Sequence, residues 1–500
     1  MPGPASRVFR MPASLDTLSF SNSFAALTTD FYSRVTPTPF NSPPRLLHFN
    51  SAAAELLGLD PDVQHDPRFL AAFSGQRLLP GMDPVAMLYA GHQFGHYVPQ
   101  LGDGRAIVLG ELTTARGEKW ELQIKGGGQT PYSRQGDGRA VLRSSIREYL
   151  ASEAMHALGI PTTRVLCLIG SQDEVYREQI ETGAMITRLA PSHVRFGSFE
   201  VFYYREQYDH IRTLADYVIT HHYPELADSA DRYLQLLQTV VARTTRLMAQ
   251  WQAVGFAHGV MNSDNMSILG LTLDYGPYGF MEAYNPGFIC NHSDHSGRYA
   301  FDQQPQIGLF NLSCLAQALL PLLDVEAAKA ALNGYWDQFV AHYHGLMAQK
   351  IGFDAMDEAA LPLLETLLAQ MQESRTDYTL LFRALATVTT DDRPPPAEVR
   401  DQFVDRERID RWLADYRAQL RTHAHPDAER RVAMNTVNPK YILRNHLAQA
   451  AIEQAERGDA SEIERLMTVL QQPFEEQPES GHYAAPPPDG ADNIQVSCSS

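Results

Sequence analysis

Only four of the 500 residues are cysteine, Cys167, Cys290, Cys314 and Cys498, and no two of them stand in Cys-x-x-Cys spacing. That scarcity disfavours structural zinc and a disulfide framework. Net positive charge is also lacking: 41 Lys and Arg face 59 Asp and Glu, a formal charge of -18. A nucleic acid is therefore not expected as the main partner, because phosphate backbones want a basic surface, although a local basic site is compatible with the count. No apolar run is long enough to span a bilayer. The most apolar stretch, 312–323, is broken by Gln317 and ends at Asp324, and reads as a buried helix. Arg7 and Arg10 are not followed by an apolar segment with a small-residue cleavage site, so the cytoplasm is the expected compartment.

Apolar material, by contrast, is ample. At 44% hydrophobic and 10% aromatic, the chain can fill a large domain or two or three associated lobes. Residues 1–85 are rich in Pro, Ser and Ala with a short helical patch at 52–57, and form an expected N-terminal extension. Strand patterns begin near Val98. Ile107-Val108-Leu109 follows the Gly102-Asp103-Gly104 turn, and Trp120, Leu122 and Ile124 alternate with Glu121, Gln123 and Lys125. This is the period of a half-buried strand, with Lys125 leaving the face opposite the core. Helical spacing predicts helices over 140–158, 233–254, 316–332, 337–351, 361–372 and 380–386. A late helix is expected with Asn438 as cap, Pro439 at its first position and Gly458 beyond its end. Residues 391–396 read as a solvated connection and 475–500 as a flexible tail. The expected division is a strand-rich lobe over 86–200, a helical lobe over 201–390, a helical extension over 391–474 and the tail.

Chemistry concentrates in His258-Gly-Val-Met-Asn-Ser-Asp-Asn265, followed by apolar 266–273, read as paired strands, and Asp274-Tyr275-Gly276. The segment resembles a protein-kinase catalytic loop with its metal-binding Asn and Asp-x-Gly. The base position two residues after the histidine is Val260, which cannot accept a hydroxyl proton. Asp264, beside Asn265, supplies a carboxylate on the same loop. The bland alternative is that Asn265 and Asp274 merely cap a turn.

Lys125 on a strand and Glu148 on the following helix have the order of the kinase lysine and its partner. The GDGRA turns at 102–106 and 136–140 offer backbone N-H groups and arginines to anions. Arg188 and Arg195 suit a polyphosphate or ordinary surface salt bridges. His92 and His96, and His292-Ser-Asp-His295, lack complete ligand sets and read as structural histidines rather than zinc sites.

Together GHQFGHYVPQLGDGRA, WELQIKGGGQTPYSRQGDGRAVLRSSIREYL, HGVMNSDNMSILGLTLDYGP, NPKYILRN and the terminal Ser-Cys-Ser-Ser resemble the selenoprotein O family, with Cys498 where many eukaryotic members carry selenocysteine. The resemblance implies an α+β, protein-kinase-like bilobal fold with a strand-rich N-lobe, a larger helical C-lobe and N- and C-terminal extensions. It also implies a flipped ATP and transfer of AMP, or of UMP from UTP in bacterial members, to Ser, Thr or Tyr hydroxyls of target proteins. By motif, Gly102, Gly104, Arg105, Lys125, Asp137, Gly138, Arg188 and Arg195 would contact nucleotide. Asn265 and Asp274 would hold Mg2+ or Mn2+, Asp264 would act as base, and Glu148 would pair with a basic residue. Redox-related targets and a regulatory disulfide between Cys290 and Cys498 complete the expectation. A phosphotransferase and a non-enzymatic ATP-sensing scaffold are the rival functions.

Overall fold

The computed structural model describes residues 13–423, 425–491, 494 and 496; Cys498 lies outside the described residues. Two compact units divide the chain. The first comprises the described residues up to Leu88, Gly102–Ser145 and Arg164–His193. Runs of Val, Ile, Leu and aromatic residues make it a sheet. Its strand order is Tyr32–Arg34, Val85–Met87, Ala106–Thr113, Lys119–Lys125, Ile180–Ala190, Arg164–Tyr176 and Arg45–Phe49, with Phe20–Ser21 and Ala140–Val141 added at the side. All of these pairings are antiparallel.

The central strand is not half-buried as its alternation predicts. Glu121, Gln123 and Lys125 are as buried as Leu122 and Ile124. The physical reason is a polar layer across that face: Gln123 accepts from Arg188 at 3.1 Å and donates to Asp103 at 3.4 Å, while Glu121 meets the His193 ring at 2.7 Å. Hydrogen-bonded partners let a polar face be buried. On the apolar side Ser51–Leu56 and Pro67–Phe73, capped by Asn50 and Asp66, pack Phe69 between Phe49 and Phe73.

The second unit comprises Tyr89–Leu101, Ile146–Thr163 and the described residues from Val194 onward, and is mainly helical. Its axis is Arg232–Val254, whose Leu237, Val241, Thr244, Met248 and Trp251 recur at helical spacing and are buried; Gly255, at φ +77°, stops it in the left-handed region. Tyr335–Lys350 and Gln304–Leu319 pack against it. Two helix expectations are corrected. The predicted 316–332 helix is split into Gln304–Leu319 and Val325–Asn333, because Pro321 breaks the chain and Asp324 caps the second piece by accepting from Glu326 and Ala327 N-H. The late helix begins at Asn445, not Pro439. Asn438 instead donates to the Lys350 carbonyl at 2.8 Å, and Pro439 to Arg444 run without helix. Its end is as read, with Gly458 at φ +93°.

Residues 266–273 form no strand; isolated bridges tie Ser267 to Arg195 and Thr272 to Thr162. Up to residue 491 the end of the chain is packed rather than flexible. Pro478–Ala484 is a 3-10 turn with Tyr483 buried and bonded to Glu462 at 2.9 Å. Among the described residues no helix is long and apolar enough to cross a membrane. The architecture is α+β and kinase-like, a sheet-bearing unit and a larger helical one.

Candidate active site

In the first unit the glycines of the two GDGRA turns serve close backbone approach. A Cβ on Gly102 (φ +109°) would lie 2.6 Å from the Tyr132 ring, and one on Gly138 (φ +69°) would lie 2.0 Å from the Gly128 carbonyl oxygen. Only glycine fits either place. The Arg105 carbonyl accepts from Gly126 N-H at 2.7 Å, which sets the start of the loop directly after Lys125. Lys125 itself sits between Ala106 and Ile186 in the sheet. Arg188 is buried on Gln123, whereas Asp137 bridges Arg177 at 2.8 Å and receives the Arg139 N-H. Gln123 and Asp103 were missed by sequence reading. Their place in an alternating strand and beside a turn was visible, but their hydrogen bonds were not.

The second unit assembles Arg195, Asp264, Asn265 and Asp274. His258 is buried, stacked on Trp251 at 5.2 Å, and its Nε2 meets the Leu273 carbonyl at 2.9 Å. Burial holds this imidazole below its ordinary pKa, so it braces the loop as a neutral ring. Asn265 Nδ2 donates to the Val260 carbonyl at 3.0 Å, closing the loop on itself and leaving Oδ1 on the other side of the amide. Asp274 takes φ +59°, a left-handed conformation that Asp tolerates better than most residues. Arg195 Nη1 contacts the Asp264 carbonyl at 2.8 Å, Asn265 Oδ1 at 3.5 Å and Asp274 Oδ2. Three oxygens thus converge on one positive charge. An oxygen-rich place that already holds a cationic group suits a hard divalent ion such as Mg2+ or Mn2+.

Asp264 is 6% exposed. Burial pushes its carboxyl up to about 7, within reach of proton transfer near neutrality. Oδ2 accepts from Gln93 Nε2 at 3.2 Å, and Oδ1 is buried without a hydrogen-bond partner. Gln93 belongs to the hairpin Gly91–Gln93 and His96–Val98, which grips the loop at further points. His92 N-H donates to Ser263 Oγ at 2.7 Å, and Phe94 N-H to Asn262 Oδ1 at 3.2 Å and Tyr299 Oη at 2.9 Å. Gln93, Asn262 and Tyr299 were not singled out from sequence. The i,i+4 spacing in GHQFGH marks the two histidines and carries no mark of the glutamine between them.

Glu148 is fully buried in Leu142–Ala157. Cys290 Sγ contacts the Ala257 carbonyl at 3.4 Å. The His292-Ser-Asp-His295 segment lies in a run of turns in which Asp294 accepts from the N-H groups of Arg298 and Tyr299.

A family model described as Protein adenylyltransferase SelO matches residues 14–471. The chain is 58% identical over 492 residues to the protein nucleotidyltransferase YdiU of Thioalkalivibrio sulfidiphilus (strain HL-EbGR7), covering 97% of this chain and 99% of that protein. It is 57% identical over 489 residues to YdiU of Thiobacillus denitrificans (strain ATCC 25259 / T1) and 56% identical over 488 residues to YdiU of Myxococcus xanthus (strain DK1622). In both cases 98% of this chain and 100% of the relative are covered. Matched almost end to end by this family model and by these relatives, the chain belongs to the SelO family of protein adenylyltransferases.

Proposed function

We propose that this nucleotidyltransferase moves AMP from ATP, or UMP from UTP, to Ser, Thr or Tyr hydroxyls of target proteins, redox-related ones among them, in a bacterial cytoplasm. Asp264 takes the hydroxyl proton. The hydroxyl oxygen bonds to the α-phosphorus as the α-phosphorus bond to the bridging oxygen breaks, and pyrophosphate leaves. Mg2+ or Mn2+ at Asn265 and Asp274 supplies charge neutralisation for the phosphates. Gly102, Gly104, Arg105, Lys125, Asp137, Gly138, Arg188 and Arg195 contact the nucleotide, and Glu148 pairs with one of its basic residues. The observation that carries this reading is Asp264, a buried carboxylate with one unpartnered oxygen beside the convergent oxygens of Asn265 and Asp274, where Val260 leaves the usual base position empty of chemistry.

We propose in addition that Cys290 and Cys498 form a regulatory disulfide. His292 N-H donates to the Val496 carbonyl at 2.9 Å, so the chain two residues before Cys498 lies against the chain two residues after Cys290. Oxidised wild type should migrate differently from Cys498→Ser on a nonreducing gel; identical mobility would reject the bond.

Intact-mass analysis after incubation with ATP and Mn2+ tests the main reading. A gain of AMP on protein, absent in Asp264→Ala, is expected. A gain of phosphate alone would establish a phosphotransferase, and ATP binding with no gain in mass on a panel of candidate target proteins would establish a scaffold.

A further inference from the structure

Behind the hairpin that grips the Asp264 loop, three side chains bring a nitrogen, an oxygen and a sulfur towards one point. His92 stands on the hairpin strand, Glu200 on Gly197–Tyr204 and Cys314 on Gln304–Leu319, two helices that pack on each other. One ligand atom from each lies within 4.8 Å of the others. The Glu200 side chain is 0% exposed and that of His92 12%, and Cys314 is buried. His92 Nδ1 meets Glu200 Oε2 at 2.5 Å, while Oε1, equally buried, has no hydrogen-bond partner. The hydroxyl of Tyr97, whose ring lies 5.4 Å from that of His92, is buried and unpartnered too. A buried carboxylate oxygen lacking a donor is costly, and a cation satisfies it.

We propose that His92, Glu200 and Cys314 form a zinc site, with a ring nitrogen, a carboxylate oxygen and a thiolate as protein ligands and water in the fourth position. The donor set selects the ion. Thiolate and imidazole favour a borderline-soft cation over the hard Mg2+ or Mn2+ of a nucleotide site. Charge selects a divalent one: with neutral His92, the carboxylate and thiolate together cancel two positive charges, so the buried site is neutral. As the ion enters, the Cys314 thiol proton leaves to solvent. The partial exposure of His92 provides a path for the ion and its water. The ligands shift inward on binding, since zinc bonds are about 2.0–2.3 Å long. The consequence is local rigidity. His92 is flanked by Gln93, which holds Asp264, so the ion would pin the hairpin from behind.

The test uses the full chain without a polyhistidine tag, stripped by chelator and titrated with Co2+. The expected result is a near-ultraviolet thiolate-to-cobalt band that saturates at one equivalent, survives excess Mg2+ and is erased by Zn2+. Cys290→Ser/Cys498→Ser should keep the band, and Cys314→Ser should lose it. No band in the wild type, or a band that persists in Cys314→Ser, overturns the proposal. If Cys314→Ser does not fold, His92→Gln replaces it: loss of the band supports the site and retention overturns it. None of these readings depends on nucleotide transfer, so failure here leaves the proposed reaction to its own test.

Discussion

Asp264 has little room around it. A Cβ on Gly91 would lie 2.6 Å from its Oδ1 and 2.9 Å from its backbone nitrogen. Gly91→Ala should therefore push the carboxylate out of place without touching a proposed metal ligand. Transfer of AMP should fall by about 100-fold, because a misplacement of roughly 1 Å is enough for that. Initial rates, together with an unchanged circular dichroism spectrum, check it. Lys350 shows the opposite sign of the same electrostatics. It is buried over the rings of Tyr378 and Phe382, at 5.5 and 4.6 Å, and burial pushes its ammonium down to about 7. The unfolded chain keeps that proton up to about pH 10.4, so it binds more protons than the folded chain between these values and stability rises with pH across the window. Lys350→Met should stabilise the protein by about 2–4 kcal/mol at pH 7, and hardly at all near pH 10. Urea unfolding at both pH values measures the difference.

Helix ends and loops depend on single side chains that do two tasks. Asp377 caps Tyr378–Leu385 by accepting the Leu380 N-H at 2.8 Å, and its second oxygen meets the buried guanidinium of Arg444 at 2.8 Å, which Glu282 also contacts. Asp377→Ala removes the cap and leaves Arg444 short of a counter-charge. The expected loss is about 2–4 kcal/mol, and Asp377→Asn, which still caps, should lose less. Chemical denaturation of the two variants separates cap from charge. The hairpin Gly91–Gln93 and His96–Val98 is a second case. Its turn residues Phe94 and Gly95 have positive φ, which aims the Phe94 N-H at Asn262 and Tyr299. The hairpin thereby becomes a brace for the loop that carries Asp264.

Across the whole chain, ligand binding should report on the loop through stability. ATP with Mn2+ at 100 times its dissociation constant should stabilise the wild type by about 2.7 kcal/mol, read as a rise in melting temperature. Asn265→Ala and Asp274→Ala should lose most of that rise. Much of this molecule could be read before its fold was known. The helix end at Gly458, the axis helix expected over 233–254 and the order His258, Asp264, Asn265, Asp274 all follow from neighbours a few residues apart. Such features depend on local periodicity and caps, which a linear string carries. Other features came only from packing. The alternation of 119–125 could not reveal that its polar face is buried, because Arg188, Asp103 and His193 come from distant segments. The loop motif could not reveal Gln93 on Asp264, 171 residues away, nor the burial that lifts the carboxyl to about 7. His92 and Glu200, 108 residues apart, leave no joint mark in the sequence. Burial and the convergence of polar atoms are properties of chain segments brought together, so tertiary structure alone decided them.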